Sequence, residues 1–154
     1  MINQRIAKIL IIQFIINTVL TPWVLAIEPS VVDAQSPTVQ IYRANNGVDV
    51  VDIAGANAQG LSDNYFRSYN VPNTGIVVNN NLDLNKVSLM AGRVLPPNAN
   101  LNNGNGLANM IVFQITGTER TQVQGLTEIH GGAANFMVAN PNGISVNGGG
   151  FYNA

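Results

Sequence analysis

The sequence predicts an all-β protein built from short strands joined at asparagine and glycine corners, and three observations carry that prediction. Asparagine and glycine are abundant, with 23 and 15 copies in 154 residues, and every glycine lies from Gly47 onward. Both residues are poor in helix interiors and favoured in turns. Past the first 34 residues no stretch keeps a 3.6-residue apolar period, apart from a weak pattern between Leu61 and Tyr69. Short apolar runs instead recur roughly every 15 to 25 residues, the spacing of units that stack as coils of a solenoid. Stacking about 4.8 Å apart pairs backbone groups above and below, and lets asparagines at equivalent corners form ladders of side-chain amides. A β-sandwich also gives short strands at regular intervals, so the pattern alone leaves both architectures open.

The chain opens on a segment of a different kind. Arg5 and Lys8 supply a positive start, Ile9 to Leu20 an apolar run, and Val24-Leu25-Ala26 a small-residue cleavage pattern, with Val32-Asp33-Ala34 as a second. Residues 1–34 are therefore an expected export signal, cut after Ala26 or after Ala34. A membrane anchor would need the 18 residues from Ile9 to Ala26 to stay apolar, and Gln13, Asn17, Thr18, Thr21 and Pro22 interrupt them. Residues 35–154 are the expected mature, extracytoplasmic domain.

Within that domain Val39 to Tyr42 alternates, Asn45-Asn46-Gly47 is a turn, and Val48 to Ile53 is a strand. Residues 54–70 are polar and irregular, which predicts a loop pinned by Leu61, Tyr65, Phe66 and Tyr69. Gly75 to Val78 is the next strand, closed by Asn79-Asn80-Asn81, and Val87 to Ala91 follows. Pro96-Pro97 breaks regular structure, and Asn98 to Asn109, with six asparagines and two Asn-Gly pairs, is a loop. Met110 to Ile115 is the most continuous apolar strand; Thr116-Gly117-Thr118 then turns the chain toward Val123 and Leu126 to Ile129.

The most informative corner is Asn140-Pro141-Asn142-Gly143, between Phe136 to Ala139 and Ile144 to Val146. Pro141 presets position i+1 of a tight turn, Asn142 tolerates a left-handed conformation at i+2, and Gly143 suits i+3. Asn140 precedes a proline and is held extended, so the strand runs up to the corner without a break.

Composition argues against several functions. Seven Lys+Arg against eight Asp+Glu, a charged fraction of 10% and no basic run leave nothing to neutralise a row of phosphates, so nucleic acid is not an expected partner. The absence of cysteine excludes a disulfide scaffold and cysteine-based metal or thiol chemistry, and leaves the chain free to stay unfolded in an oxidising periplasm. No catalytic, cofactor or metal set emerges. His130, the single histidine, has no Ser/Asp constellation beside it and reads as a turn or strand-end residue. Gly104-Asn105-Gly106 lacks the third glycine of a dinucleotide loop, and Gly148-Gly149-Gly150 lacks the acidic residue of a calcium-binding nonapeptide. Asp49 and Asp52 fit a solvated strand face better than a carboxylate pair, and the tyrosines and Phe66 fit core or loop anchors better than glycan contacts.

The ordered blocks Val50 to Ala54, Gly60 to Asn64, Tyr69 to Val71, Gly75 to Asn80, Met110 to Thr116, Gly125 to Gly131 and Ala134 to Ile144 together resemble the N-terminal secretion domain of filamentous-haemagglutinin-type exoproteins. These are the adhesins, haemolysins and contact-dependent inhibition toxins of Gram-negative two-partner secretion. The resemblance covers roughly Val39 to Ala154. It assigns a secretion motif to Asn140, Pro141, Asn142 and Gly143, and a second to Asn98, Ala99, Asn100 and Leu101, where alanine stands in place of the family's proline. That second loop is expected to be less pre-organised.

The resemblance implies a right-handed parallel β-helix with an N-terminal cap and extra-helical hairpins, and no enzyme activity. It also implies a signal handled by the inner-membrane Sec machinery, and recognition in the periplasm by the POTRA modules of a TpsB-type outer-membrane transporter. Folding would follow at the cell surface, and a continuing downstream region would meet host-cell or bacterial receptors. Because family domains continue past the equivalent of Ala154, the chain is expected to be C-terminally truncated. A standalone adhesin or glycan-binding module and a β-helix carbohydrate-active enzyme are the alternatives.

Overall fold

A computed structural model describes residues 27–154; the expected export signal up to Ala26 lies outside the described residues. The described chain starts with a cap, in which β1 (Val31–Val32) pairs antiparallel with β4 (Leu61–Ser68) and β2 (Gln40–Arg43) pairs antiparallel with β3 (Asp49–Asp52). From β3 the path is parallel. The first coil runs β3, β4 and Val71; the second runs β5 (Ile76–Asn80), β8 (Met110–Ile115) and β9 (Thr121–Val123). Between β5 and β8 a small hairpin, β6 (Val87–Ser88) and β7 (Arg93–Val94), stands outside the coil. The third coil runs β10 (Leu126–Gly131), β11 (Asn135–Ala139) and β12 (Ile144–Val146), and β13 (Gly150–Tyr152) begins a fourth.

The registers close this path into three stacked faces. Val51 pairs with Val78 and Val78 with Ile129 on the first face. Leu61 pairs with Met110 and Met110 with Asn135 on the second. Val71 pairs with Val123 and Val123 with Val146 on the third. The architecture is the right-handed parallel β-helix, with its N-terminal cap and one extra-helical hairpin, and the sandwich alternative falls away.

Alternation explains which side chains fill the coil. Val51, Val78 and Ile129 stack inward as one apolar column, and Phe66, Tyr69, Phe113 and Phe136 pack ring on ring between the coils. Val50 and Val77 point outward, yet they are fully buried, because the extra-helical insertion covers them with Ala91 and Leu95.

One expectation is overturned. Residues 54–70 are not mainly a loop: Leu61–Ser68 is an eight-residue strand at the centre of a sheet. Its inward positions Ser62 and Asn64 are polar, which hides the apolar alternation. Both are fully buried and satisfied: Ser62 Oγ donates to Ala54 O at 2.7 Å, while Asn64 Nδ2 donates to Val112 O at 3.1 Å and Asn64 Oδ1 accepts from Ala54 N at 2.8 Å. Asp49 and Asp52, three positions apart, fall on opposite faces of β3. Asp49 pairs with Arg43 at 2.8 Å and Asp52 accepts from Asn79 Nδ2 at 2.7 Å, so the two carboxylates do not converge.

Candidate secretion-recognition site

Asparagine recurs at the corners because its side chain carries both an acceptor and a donor. At six corners the Oδ1 of an asparagine accepts the backbone N–H two residues on: Asn46 from Val48, Asn57 from Gln59, Asn81 from Asp83, Asn98 from Asn100, Asn103 from Asn105 and Asn140 from Asn142. That bond sets the turn. At several of them Nδ2 remains free to reach a neighbouring coil. The amide ladders expected between asparagines are thus replaced by ties from asparagine side chains to backbone carbonyls.

The two tetrapeptides are paired instances of this device. Asn98 is fully buried; its Nδ2 donates to Ile53 O at 2.9 Å and to Asn79 O at 3.0 Å. Asn100 Nδ2 donates to Thr38 O at 2.8 Å and Ile53 O at 2.9 Å, and Leu101 inserts into the core at 1% exposure. At the other corner Asn140 Nδ2 donates to Glu119 O at 2.9 Å and Thr121 Oγ1 at 3.0 Å, while Asn142 Nδ2 donates to Gly117 O at 2.8 Å. In each Asn-x-Asn the first asparagine shapes the turn and both tie it to the preceding rung or to the cap. The tetrapeptides are not brought together: Asn98–Leu101 lies on the way from β7 to β8 in the second coil, Asn140–Gly143 joins β11 to β12 in the third. They also differ in access, since Pro141 and Asn142 are exposed whereas Asn98 and Leu101 are hidden.

Two local predictions follow from the backbone. Gly143, not Asn142, holds the left-handed position, with φ at 95°. Gly143→Ala is therefore expected to cost about 1 kcal/mol or more, and Asn142→Ala only the bond to Gly117, about 1 kcal/mol or less, read from urea midpoints. At the other corner Ala99 opens a 3₁₀ turn, Ala99–Leu101, behind an extended Asn98 at φ −73° and ψ 109°. Proline suits that first turn position, and Asn98 already has the extended backbone that a following proline requires. Ala99→Pro is expected to raise stability by about 0.4 to 1 kcal/mol by restricting the unfolded chain; a lower midpoint would contradict it. The turn is ordered without proline because Asn98 and Asn100 hold it.

Sequence reasoning missed the attachment of the hairpin. Glu128, on the outward face of β10, accepts from Ser88 Oγ at 2.8 Å, Leu89 N at 3.0 Å and Met90 N at 2.9 Å. His130, which reads from sequence as a turn or strand-end residue, lies within β10 and is buried, with Nδ1 3.7 Å from Glu128 Oε1. Burial pushes the Glu128 carboxyl up, but His130 and the three donors of the hairpin outweigh it and hold the group at about 2. A lone glutamate in a strand gives no sequence signal that a segment 40 positions upstream closes over it.

Taken together these features define a class: a capped parallel β-helix whose corners are fixed by asparagine amides and whose first face carries a docked hairpin. The profile of the TPS secretion domain matches residues 29–154, and the chain belongs to that family of two-partner-secretion domains. It is 42% identical over 128 residues to the 16S rRNA endonuclease CdiA of Enterobacter cloacae, which covers 81% of this chain and 4% of that protein. It is 41% identical over 109 residues to the filamentous hemagglutinin of Bordetella pertussis, covering 71% of this chain and 3% of the relative. The crystal structure of a filamentous hemagglutinin secretion domain superposes with a TM-score of 0.71 at 37% identity, over 82% of this chain and 40% of that one. The chain thus spans a few per cent of the length of these curated relatives.

Proposed function

We propose that this chain is the targeting domain of a longer adhesin- or haemagglutinin-like exoprotein, recognised in the periplasm by the POTRA modules of a TpsB-type transporter. An export signal within residues 1–34 directs it through the Sec machinery, and the domain then crosses the outer membrane and folds on the cell surface, with receptors left to a downstream region. No catalytic, cofactor or metal role is assigned to it.

The observation that carries this reading is the family match across 29–154, on a parallel coil whose first rung is flanked by antiparallel cap strands. At the first coil the edge strands β1 and β2 run antiparallel to their neighbours, whereas at the other end the edge strands β11, β12 and β13 run parallel to theirs and keep the direction of the coil. A nucleus of this shape lets each emerging coil add to the last, so burial and backbone pairing can draw the chain outward without a nucleotide motor.

Asn98, Ala99, Asn100, Leu101, Asn140, Pro141, Asn142 and Gly143 are proposed as the recognised residues. Burial of Asn98 and Leu101 supports recognition of an extended segment, by strand addition, because the folded coil hides both. The test is a pull-down of the exported chain with purified POTRA modules, alongside a longer domain of the family. Capture of both is expected, and replacing Asn98, Asn100, Asn140 and Asn142 by alanine together is expected to weaken it. Capture of the longer domain alone would overturn the reading, and undiminished capture of the quadruple variant would leave the asparagines a folding role only.

A further inference from the structure

The two cleavage sites that the sequence offers are not equivalent once the fold is known, because residues 28–36 are part of it. Val31 and Val32 pair antiparallel with Ser68 and Phe66 along the outer edge of β4, and Val32 packs on the main core. Ser30 Oγ donates to Asn70 O at 3.0 Å and accepts from Asn70 N at 2.8 Å, so one hydroxyl satisfies both backbone groups of that residue. Ser68 Oγ donates to Pro29 O at 2.9 Å, and Asn70 Nδ2 donates to Glu28 O. Asp33 N donates to Tyr65 O at 2.9 Å, and Asp33 Oδ2 accepts from Thr116 Oγ1 at 2.7 Å, one coil further on.

Cutting after Ala34 would remove every one of these contacts. It would strip β1 from β4, leaving the row of backbone groups on an eight-residue strand open at the edge of its sheet. It would also take away the Glu28 acceptor of the Asn70 side-chain NH2, in a residue 6% exposed whose Oδ1 accepts from Gln122 N at 2.9 Å on the third face. Cutting after Ala26 removes none of them. Both sites carry an apolar residue and an alanine at the spacing a signal peptidase needs, Val24 with Ala26 and Val32 with Ala34, but only the first follows closely on the apolar run that ends at Leu20.

We propose that the export signal is removed by hydrolysis of the Ala26–Ile27 amide, water giving its hydroxyl to the Ala26 carbonyl and its hydrogen to the Ile27 nitrogen, so that Ile27 is the first residue of the exported domain. Residues 27–34 then serve as the strap that closes the N-terminal end of the coil, and Val32-Asp33-Ala34 is a strand end rather than a processing site. The inference rests on the reading of the first residues as an export signal.

The test is to express the full chain in a Gram-negative host with active export, and to determine the amino terminus of the extracytoplasmic product by intact mass and terminal sequencing. A terminus at Ile27 is expected, and one at Gln35 would overturn the assignment. A product that keeps Met1 would overturn the export-signal reading itself, so the two failures are distinguishable. Processing precedes folding, so substitutions at the sites can be scored even where they unsettle the fold. Ala26→Tyr is expected to accumulate as precursor, whereas Ala34→Tyr, at an exposed position, is cut as the parent chain is. The reverse pattern would refute the proposal. A chain starting at Gln35 is also expected to unfold at lower urea than one starting at Ile27, and equal midpoints would remove its physical basis.

Discussion

Glu128→Gln is expected to lower stability by about 3 kcal/mol at neutral pH and to have almost no effect near pH 2. The magnitude is that of the carboxyl's displacement, from 4.5 in a free side chain to about 2 in the fold, with each unit worth about 1.4 kcal/mol. The sign follows from the direction of that shift. A carboxyl depressed by folding stabilises the native state above its unfolded pKa, and the benefit drains away as pH falls from about 4.5 through about 2; at pH 2 the native carboxyl is half protonated and only a small part of the benefit is left. Glutamine keeps the volume but gives up the charge and turns an NH2 group toward donors. Ser88 Oγ and the N–H groups of Leu89 and Met90 then share one acceptor where they had two. The hairpin is the part released: amide exchange at Leu89 and Met90 should accelerate, and Val50 and Val77 beneath it should gain solvent. Urea unfolding of parent and variant at pH 7 and pH 2 checks this. A gap of the same size at both pH values would mean that the charge is not what holds the hairpin down.

Glu128 also marks where sequence reasoning stops. Periodicity located the strands whose inward residues are apolar, such as Met110–Ile115, because alternation is a property of neighbours in the chain. It failed at Leu61–Ser68, where Ser62 and Asn64 occupy inward positions and are satisfied by Ala54 and Val112, partners that no local pattern reveals. The run Asn79-Asn80-Asn81 carries turn chemistry by composition, yet Asn79 and Asn80 end a buried strand. Asn80 Nδ2 donates to Ala108 O at 2.9 Å and Gly132 O at 3.0 Å, and its Oδ1 accepts from Ala108 N at 2.9 Å, so a carboxamide does in the coil what water does at a surface turn. The tetrapeptides show the same division. Their turn-forming role was legible in Asn, Pro and Gly at fixed offsets. Their role as ties to the preceding rung was not, because those carbonyls, Ile53 and Gly117 among them, belong to another coil.

Phe113→Ala is expected to cost about 3 to 5 kcal/mol, the range for a large aromatic truncated in a core that cannot collapse around the gap. The ring is fully buried on β8, the strand between β4 and β11. Its centroid lies 4.6 Å from that of Phe66, 5.0 Å from Tyr69 and 5.0 Å from Phe136, so it touches rings of the coils on both sides. A coil of this kind has little intrinsic stability, and most of its free energy comes from the interface with its neighbours. Removing a ring that bridges three coils therefore weakens two interfaces at once, and unfolding should also lose cooperativity, with a shallower denaturant slope. Val112, the preceding residue, points outward on the same strand and supplies the control: Val112→Ala alters the same backbone and the same β-propensity but is expected to cost less than about 1 kcal/mol. Equal losses in the two variants would show that strand propensity, rather than the aromatic column, holds the coils together.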